Sequence, residues 1–92
     1  MVAMVVGREV TVALENGLHM APAGHVLDVA KRYGCELLLK KGDRSVDGTS
    51  IFELLTLAAE KGSVLFVEAR GDRAGEAVDE LEQLLAGRLG HR

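Results

Sequence analysis

Cysteine and proline each occur once in this 92-residue chain, tryptophan is absent, and aromatic residues make up only 3% of it. A lone Cys35 excludes an intramolecular disulfide and leaves no cysteine pair for a metal site; its expected place is that of a small buried hydrophobe. With so few rings, the core has to be built from Val, Leu, Ile and Ala, and a hydrophobic content of 48% is enough for one. Positive charge is in deficit as well: 11 Lys and Arg against 14 Asp and Glu give a formal net charge of −3. Domains that hold nucleic acid present a basic face, so no nucleic-acid partner is expected. No dense block of one charge is present, which removes a disordered interaction tail from consideration. The opening apolar stretch, MVAMVV, is too short for a signal-peptide core or a membrane span. A cytoplasmic protein without membrane insertion is the expectation.

What is present suits one small domain. It is expected to cover residues 1–92, with 1–7 and 89–92 as terminal extensions. Glu9–Leu14 (EVTVAL) alternates and is β-branched, which predicts a first strand that begins there or a few residues earlier. After Asn16-Gly17 the period changes. Ala23, Val26, Leu27 and Ala30 recur at helical spacing behind Pro22, a residue at ease in a first helical turn, and Gly34 is a natural stop. Cys35–Lys40 and Arg44–Asp47 form a predicted hairpin around Lys41-Gly42-Asp43. Ser50 and Glu53 have capping-box spacing, so a short helix should follow with Ile51, Phe52, Leu54, Leu55 and Ala58. Ser63–Ala69 is the most hydrophobic strand. The last helix runs from about Ala74 to Ala86, with Ala77, Val78, Leu81, Leu84 and Leu85 apolar.

The order β-α-β-β-α-β-α implies an α+β fold: a two-layer open-faced β-sandwich. Its four-stranded, mainly antiparallel sheet carries three helices on one face. That face should bury Val10, Val12, Leu37, Leu39 and alternate residues of the fourth strand.

Residues Glu15–Gly24 (ENGLHMAPAG) carry the chemistry. A helix starting at Pro22 leaves the backbone amides around Met20 and Ala21 free, and with the positive end of the helix dipole they favour a dianion such as phosphate. His19 stands beside them. An imidazole, with a reference pKa of ~6.5, is in good part an unprotonated nucleophile near neutrality. Such a residue can accept a phosphoryl group on a ring nitrogen and pass it on, a carrier's chemistry that calls for no metal and no cofactor. The bland alternative is a solvated histidine ahead of a helix.

The run NGLHMAPA, Asn16–Ala23, resembles the active-site motif N-G-L-H-x-R-P-A of the histidine-containing phosphocarrier (HPr) family of the bacterial sugar phosphotransferase system. The resemblance continues through Gly48–Leu57 (GTSIFELLTL), the strand KGSVLFVEA and the closing helix, over roughly residues 8–88. It implies that His19 is the phosphoryl acceptor, charged on Nδ1 by enzyme I and discharged to enzyme II components. It also implies that Ser50 matches a serine modified in some bacteria by HPr kinase/phosphorylase; a plain helix cap is the other reading of that residue. Met20, Ile51, Phe52 and Leu55 match an apolar docking patch. Of the second helix, Leu54 and Leu57 are expected in the core, and Ile51 with Phe52 at the surface. The protein would be a monomer that is modified and restored rather than a stand-alone enzyme. The alternative within the family is a regulatory binding module that signals through phosphorylation of His19 or Ser50 with little sugar flux.

One departure matters chemically. Where the motif has arginine the chain has Ala21, so a charge-assisted contact worth ~1.5–3 kcal/mol is lost. Lys31 and Arg32 lie turns away along the helix, which leaves Arg44 and Arg70 as the cations to approach in three dimensions. His25 is expected as an exposed helix residue, and His91 near the C-terminus carries no weight. Glu76, Asp79, Glu80 and Glu82 read as the solvated face of the last helix.

Overall fold

The computed structural model describes residues 4–88. The expected extensions at 1–3 and 89–92, and His91 with them, lie outside the described residues. The elements are β1 (Val5–Thr11), α1 (Met20–Tyr33), β2 (Glu36–Lys41), β3 (Arg44–Asp47), α2 (Ile51–Thr56), β4 (Val64–Arg70) and α3 (Ala74–Leu85). The sheet order is β1-β4-β2-β3, and every neighbouring pair is antiparallel. The three helices pack on one face of the four-stranded sheet, which is the expected open-faced sandwich.

Alternation in the strands decides which face is buried. Val10, Leu37, Leu39, Val46, Leu65, Val67 and Ala69 point inward and are at most 4% exposed. Against them α1 lays Ala23, Val26, Val29 and Ala30, and α3 lays Ala74, Ala77, Val78, Leu81 and Leu85. The core is aliphatic, as the scarcity of aromatic residues dictates. Cys35 belongs to it at 7% exposure, and burial pushes its thiol above its ordinary value, away from nucleophilic chemistry.

The first strand is displaced toward the N-terminus. Val5, Val6 and Gly7, assigned by sequence to an extension, pair with Arg70, Ala69 and Glu68 of β4. At the other end the chain leaves the ladder early, because the Ala13 amide donates to the Leu85 carbonyl at the end of α3 (2.8 Å). That bond ties the segment entering the His19 loop to the last helix.

Candidate functional site

Two loops lie back to back and present His19. In the first, residues 14–19, the Gly17 amide donates to the Leu14 carbonyl (3.0 Å) and the His19 amide to the Gly17 carbonyl (3.0 Å). Gly17 has φ 68°, and a Cβ there would stand 2.3 Å from the Ala59 carbonyl oxygen and 2.9 Å from Glu60 Cα. Only glycine permits this approach. The second loop, residues 57–63, answers it: the Ala59 carbonyl accepts the Leu18 amide at 2.8 Å. Ala58 beside it is held at φ 54°, a left-handed conformation unusual for alanine, with Lys41 Nζ donating to its carbonyl (2.7 Å).

Helix α1 begins at Met20, not at Pro22, and His19 is its extended N-cap residue. The reason lies in the turn just described, which delivers the His19 carbonyl to the Ala23 amide (2.9 Å). Pro22 is then the third helical residue and has no amide to satisfy. Ahead of it, the amides of Met20 and Ala21 find no hydrogen-bond partner among the described residues. No acidic side chain occupies the first turn of α1, so the dipole's positive end is uncompensated. His19, Met20 and Ala21 are all exposed. The imidazole thus stands in solvent next to a pair of free amides and a helix terminus, an arrangement able to hold an anion bonded to the ring.

The docking candidates divide. Phe52 is 82% exposed and Met20 60%, whereas Ile51 and Leu55 are half-buried and Leu55 packs on the core. Leu54 and Leu57 are buried at 0% and 1%, as expected. Ser50 is the N-cap of α2, and its hydroxyl accepts from the Glu53 amide at 3.3 Å. The capping box is only half made, because the Glu53 carboxylate accepts instead from the Asp47 amide (2.9 Å). Asp47 in turn accepts from the Thr49 amide and hydroxyl, bonds that hold its carboxyl below the ordinary value. α2 also ends at Thr56, so Ala58 falls in the loop rather than the helix.

Neither distant arginine fills the place left by Ala21. Arg44 donates to the Thr56 carbonyl (2.6 Å) and hydroxyl (3.0 Å) at the end of α2. Arg70 lies 3.8 Å from Glu36 at the end of β4. Lys61, on the second loop, pairs with Glu15 at 3.2 Å.

Two residues read as solvated are not. His25 is half-buried, with Nε2 3.0 Å from Glu80 Oε2; a carboxylate only accepts, so Nε2 carries the proton of that bond. Glu80 also accepts from Arg32 and from the Tyr33 hydroxyl (2.8 Å), and its side chain is only 16% exposed. Burial pushes its carboxyl up, and the bonds from Arg32, Tyr33 and His25 more than offset this, bringing it to about 2. The signal was available in the sequence. Glu80 lies three residues after Ala77 and four before Leu84, on the flank of the apolar stripe. The rest of the expected acidic face is exposed or paired: Asp79 and Glu82 meet Arg8, and Glu76 meets Arg73.

Among the described residues, one exposed histidine stands at the start of the first helix of an open-faced sandwich, an arrangement suited to a small protein that carries a group on its ring. The family model described as "PTS HPr component phosphorylation site" matches residues 6–87, and the chain belongs to this family of phosphocarriers. It is 35% identical over 78 residues to the phosphocarrier protein HPr of Vibrio cholerae, covering 85% of this chain and 92% of that protein. The crystal structure of an HPr from Bacillus anthracis superposes with a TM-score of 0.82 at 30% identity, over 88% of this chain and 96% of that one. A dimeric HPr crystal structure from Thermoanaerobacter tengcongensis gives 0.69 at 29% identity, over 91% and 99%. No helix of the described residues is long and apolar enough to cross a membrane.

Proposed function

We propose that the chain accepts a phosphoryl group from phospho-enzyme I on His19 and passes it to an enzyme II component, acting as a cytoplasmic, monomeric carrier. The observation that carries this reading is His19 as the exposed N-cap of α1, beside the free amides of Met20 and Ala21. In the transfer, the lone pair on His19 Nδ1 attacks phosphorus while the donor's P–N bond breaks and its electron pair returns to the donor ring. The amides and the helix end carry the charge of the bound phosphoryl group. Onward transfer repeats the exchange with the acceptor as nucleophile. Met20 and Phe52, with the half-buried Ile51 and Leu55, supply the apolar docking surface.

A second reading is favoured by Ala21 standing where the motif has arginine: a regulatory module whose signal is the phosphorylated state of His19 or, through HPr kinase/phosphorylase, of Ser50. A phosphate on Ser50 would sit at the start of α2, where its charge is locally tolerated.

Incubation with phosphoenolpyruvate and enzyme I, followed by intact mass at neutral pH, tests the first reading. The expected product is one acid-labile phosphoryl adduct, absent from His19→Ala. No adduct with several enzyme I sources would refute it. Onward transfer to an enzyme II protein separates the carrier from the regulatory module.

A further inference from the structure

Past His19, the first two turns of α1 carry a stretch of small residues. Ala21 and Gly24 occupy it a turn apart, and a Cβ built on Gly24 would meet nothing within 4 Å. Asp28 follows a turn later, exposed and in no ion pair among the described residues. Together they line an open groove of about 740 Å³ that Met20 and Ile51 border.

Once His19 carries a phosphoryl group, two anions mark this stretch of α1. The phosphoryl group is at one end, and the Asp28 carboxylate stands two helical turns on from Ala21, about 10 Å of helix rise. The chain brings no cation of its own between them. Arg32 is bonded to Glu80, Arg44 to Thr56, Lys41 to Ala58, Lys61 to Glu15 and Arg70 to Glu36. Lys31 and Arg32 line the groove only beyond Asp28, three and four residues on, and Lys31 stands about 18 Å of helix rise from His19.

We propose that this groove receives an arginine or lysine side chain from the protein that donates the phosphoryl group, so that the cation missing at Ala21 is supplied in trans. The proposal rests on the carrier reading of His19. The space left by Ala21 and Gly24 admits a long side chain, and the two anions attract it. A guanidinium there meets the phosphoryl oxygens in bidentate fashion. The same feature selects partners: a donor with an acidic surface opposite Asp28 is repelled, and one with a basic residue is favoured. The groove is continuous with Met20 and Ile51 of the docking surface, so the contact adds to an interface rather than creating one.

The test has two arms. In the first, the wild-type chain is treated with phosphoramidate, a small donor that makes no groove contact, and His19 labelling is followed by mass spectrometry. Failure to label His19 refutes the carrier reading and the groove proposal with it. In the second, phosphoryl transfer is measured from phosphoenolpyruvate through the enzyme I encoded by the same genome, with folding of each variant checked by thermal melting. Asp28→Lys raises KM about tenfold at low salt, the scale of a charge reversal at an interface, and the gap narrows as salt is added. Asp28→Asn moves KM the same way by less, and Ala21→Arg slows transfer because it fills the groove with a like charge. A KM unchanged or lowered by Asp28→Lys overturns the proposal, as does faster transfer by Ala21→Arg. Labelling of the wild type by phosphoramidate but not by phospho-enzyme I also overturns it, since the groove then serves no donor.

Discussion

His19 owes its proposed chemistry to neighbours that contribute backbone rather than side chains. The amides of Met20 and Ala21 are free because the helix starts at Met20 and its first amides have no carbonyl within it to bond. Gly17 lets the second loop come close enough for the Ala59 carbonyl to fix Leu18. Ala58 is the strained partner in this arrangement, held at φ 54° between the α2 terminus and the Lys41 contact. Replacing it with glycine removes the Cβ conflict, so Ala58→Gly should stabilise the protein by about 1 kcal/mol, measured as a higher urea midpoint at unchanged m-value. An unchanged midpoint would mean that the loop carries no such strain. At Ser50 the same logic gives a loss: Ser50→Ala removes the bond to the Glu53 amide and should cost about 1 kcal/mol. A Ser50→Ala chain that melts with the wild type would show that this cap contributes nothing. The residue scale was the most legible in sequence, since His19, Pro22 and Ser50 each have a local reason to be where they are. Ala58 was not, because its conformation is imposed by contacts with residues far along the chain.

Among the elements, α1 and α3 are held together by polar bonds as well as by apolar packing. Glu80 of α3 gathers His25, Arg32 and Tyr33 of α1. Its carboxyl lies at about 2 against an ordinary 4.5. A carboxyl lowered on folding stabilises the protein above its unfolded value and loses that stabilisation as pH falls through the folded one. Glu80→Gln should therefore cost about 2 kcal/mol at neutral pH. The gap to wild type should close between pH 4.5 and about 2, followed by urea melts across that range. A gap independent of pH would show that the clamp acts by shape alone. The sequence showed both helices, their apolar faces and the place of Glu80 on the flank of one, but not which groups of α1 it would meet. The first strand slipped for a related reason. Its ladder is set by β4 and by the bond from Ala13 to Leu85, neither of which is local.

At the scale of the molecule, the sheet and helices serve to aim one loop. α1 is fixed by its buried face and by Glu80, and its N-terminus is fixed by the two loops, so the exposed His19 and Met20 are held in place on one side of the molecule. Alternation in the strands and helical spacing elsewhere made this architecture legible, and the motif around His19 made the site legible. The open groove at Ala21, Gly24 and Asp28 was not, because it is defined by absent side chains and by where the other cations are bonded. The proposed carrier chemistry rests on one atom of one ring. Its most direct test is a long-range proton–nitrogen NMR spectrum of the histidine rings, recorded before and after charging with phosphoenolpyruvate and enzyme I. The expected result is that Nδ1 of His19 takes the phosphoryl group while the ring of His25 keeps its nitrogens free of phosphorus. A phosphoryl group on His25, or His19 nitrogens unchanged after charging, would contradict it.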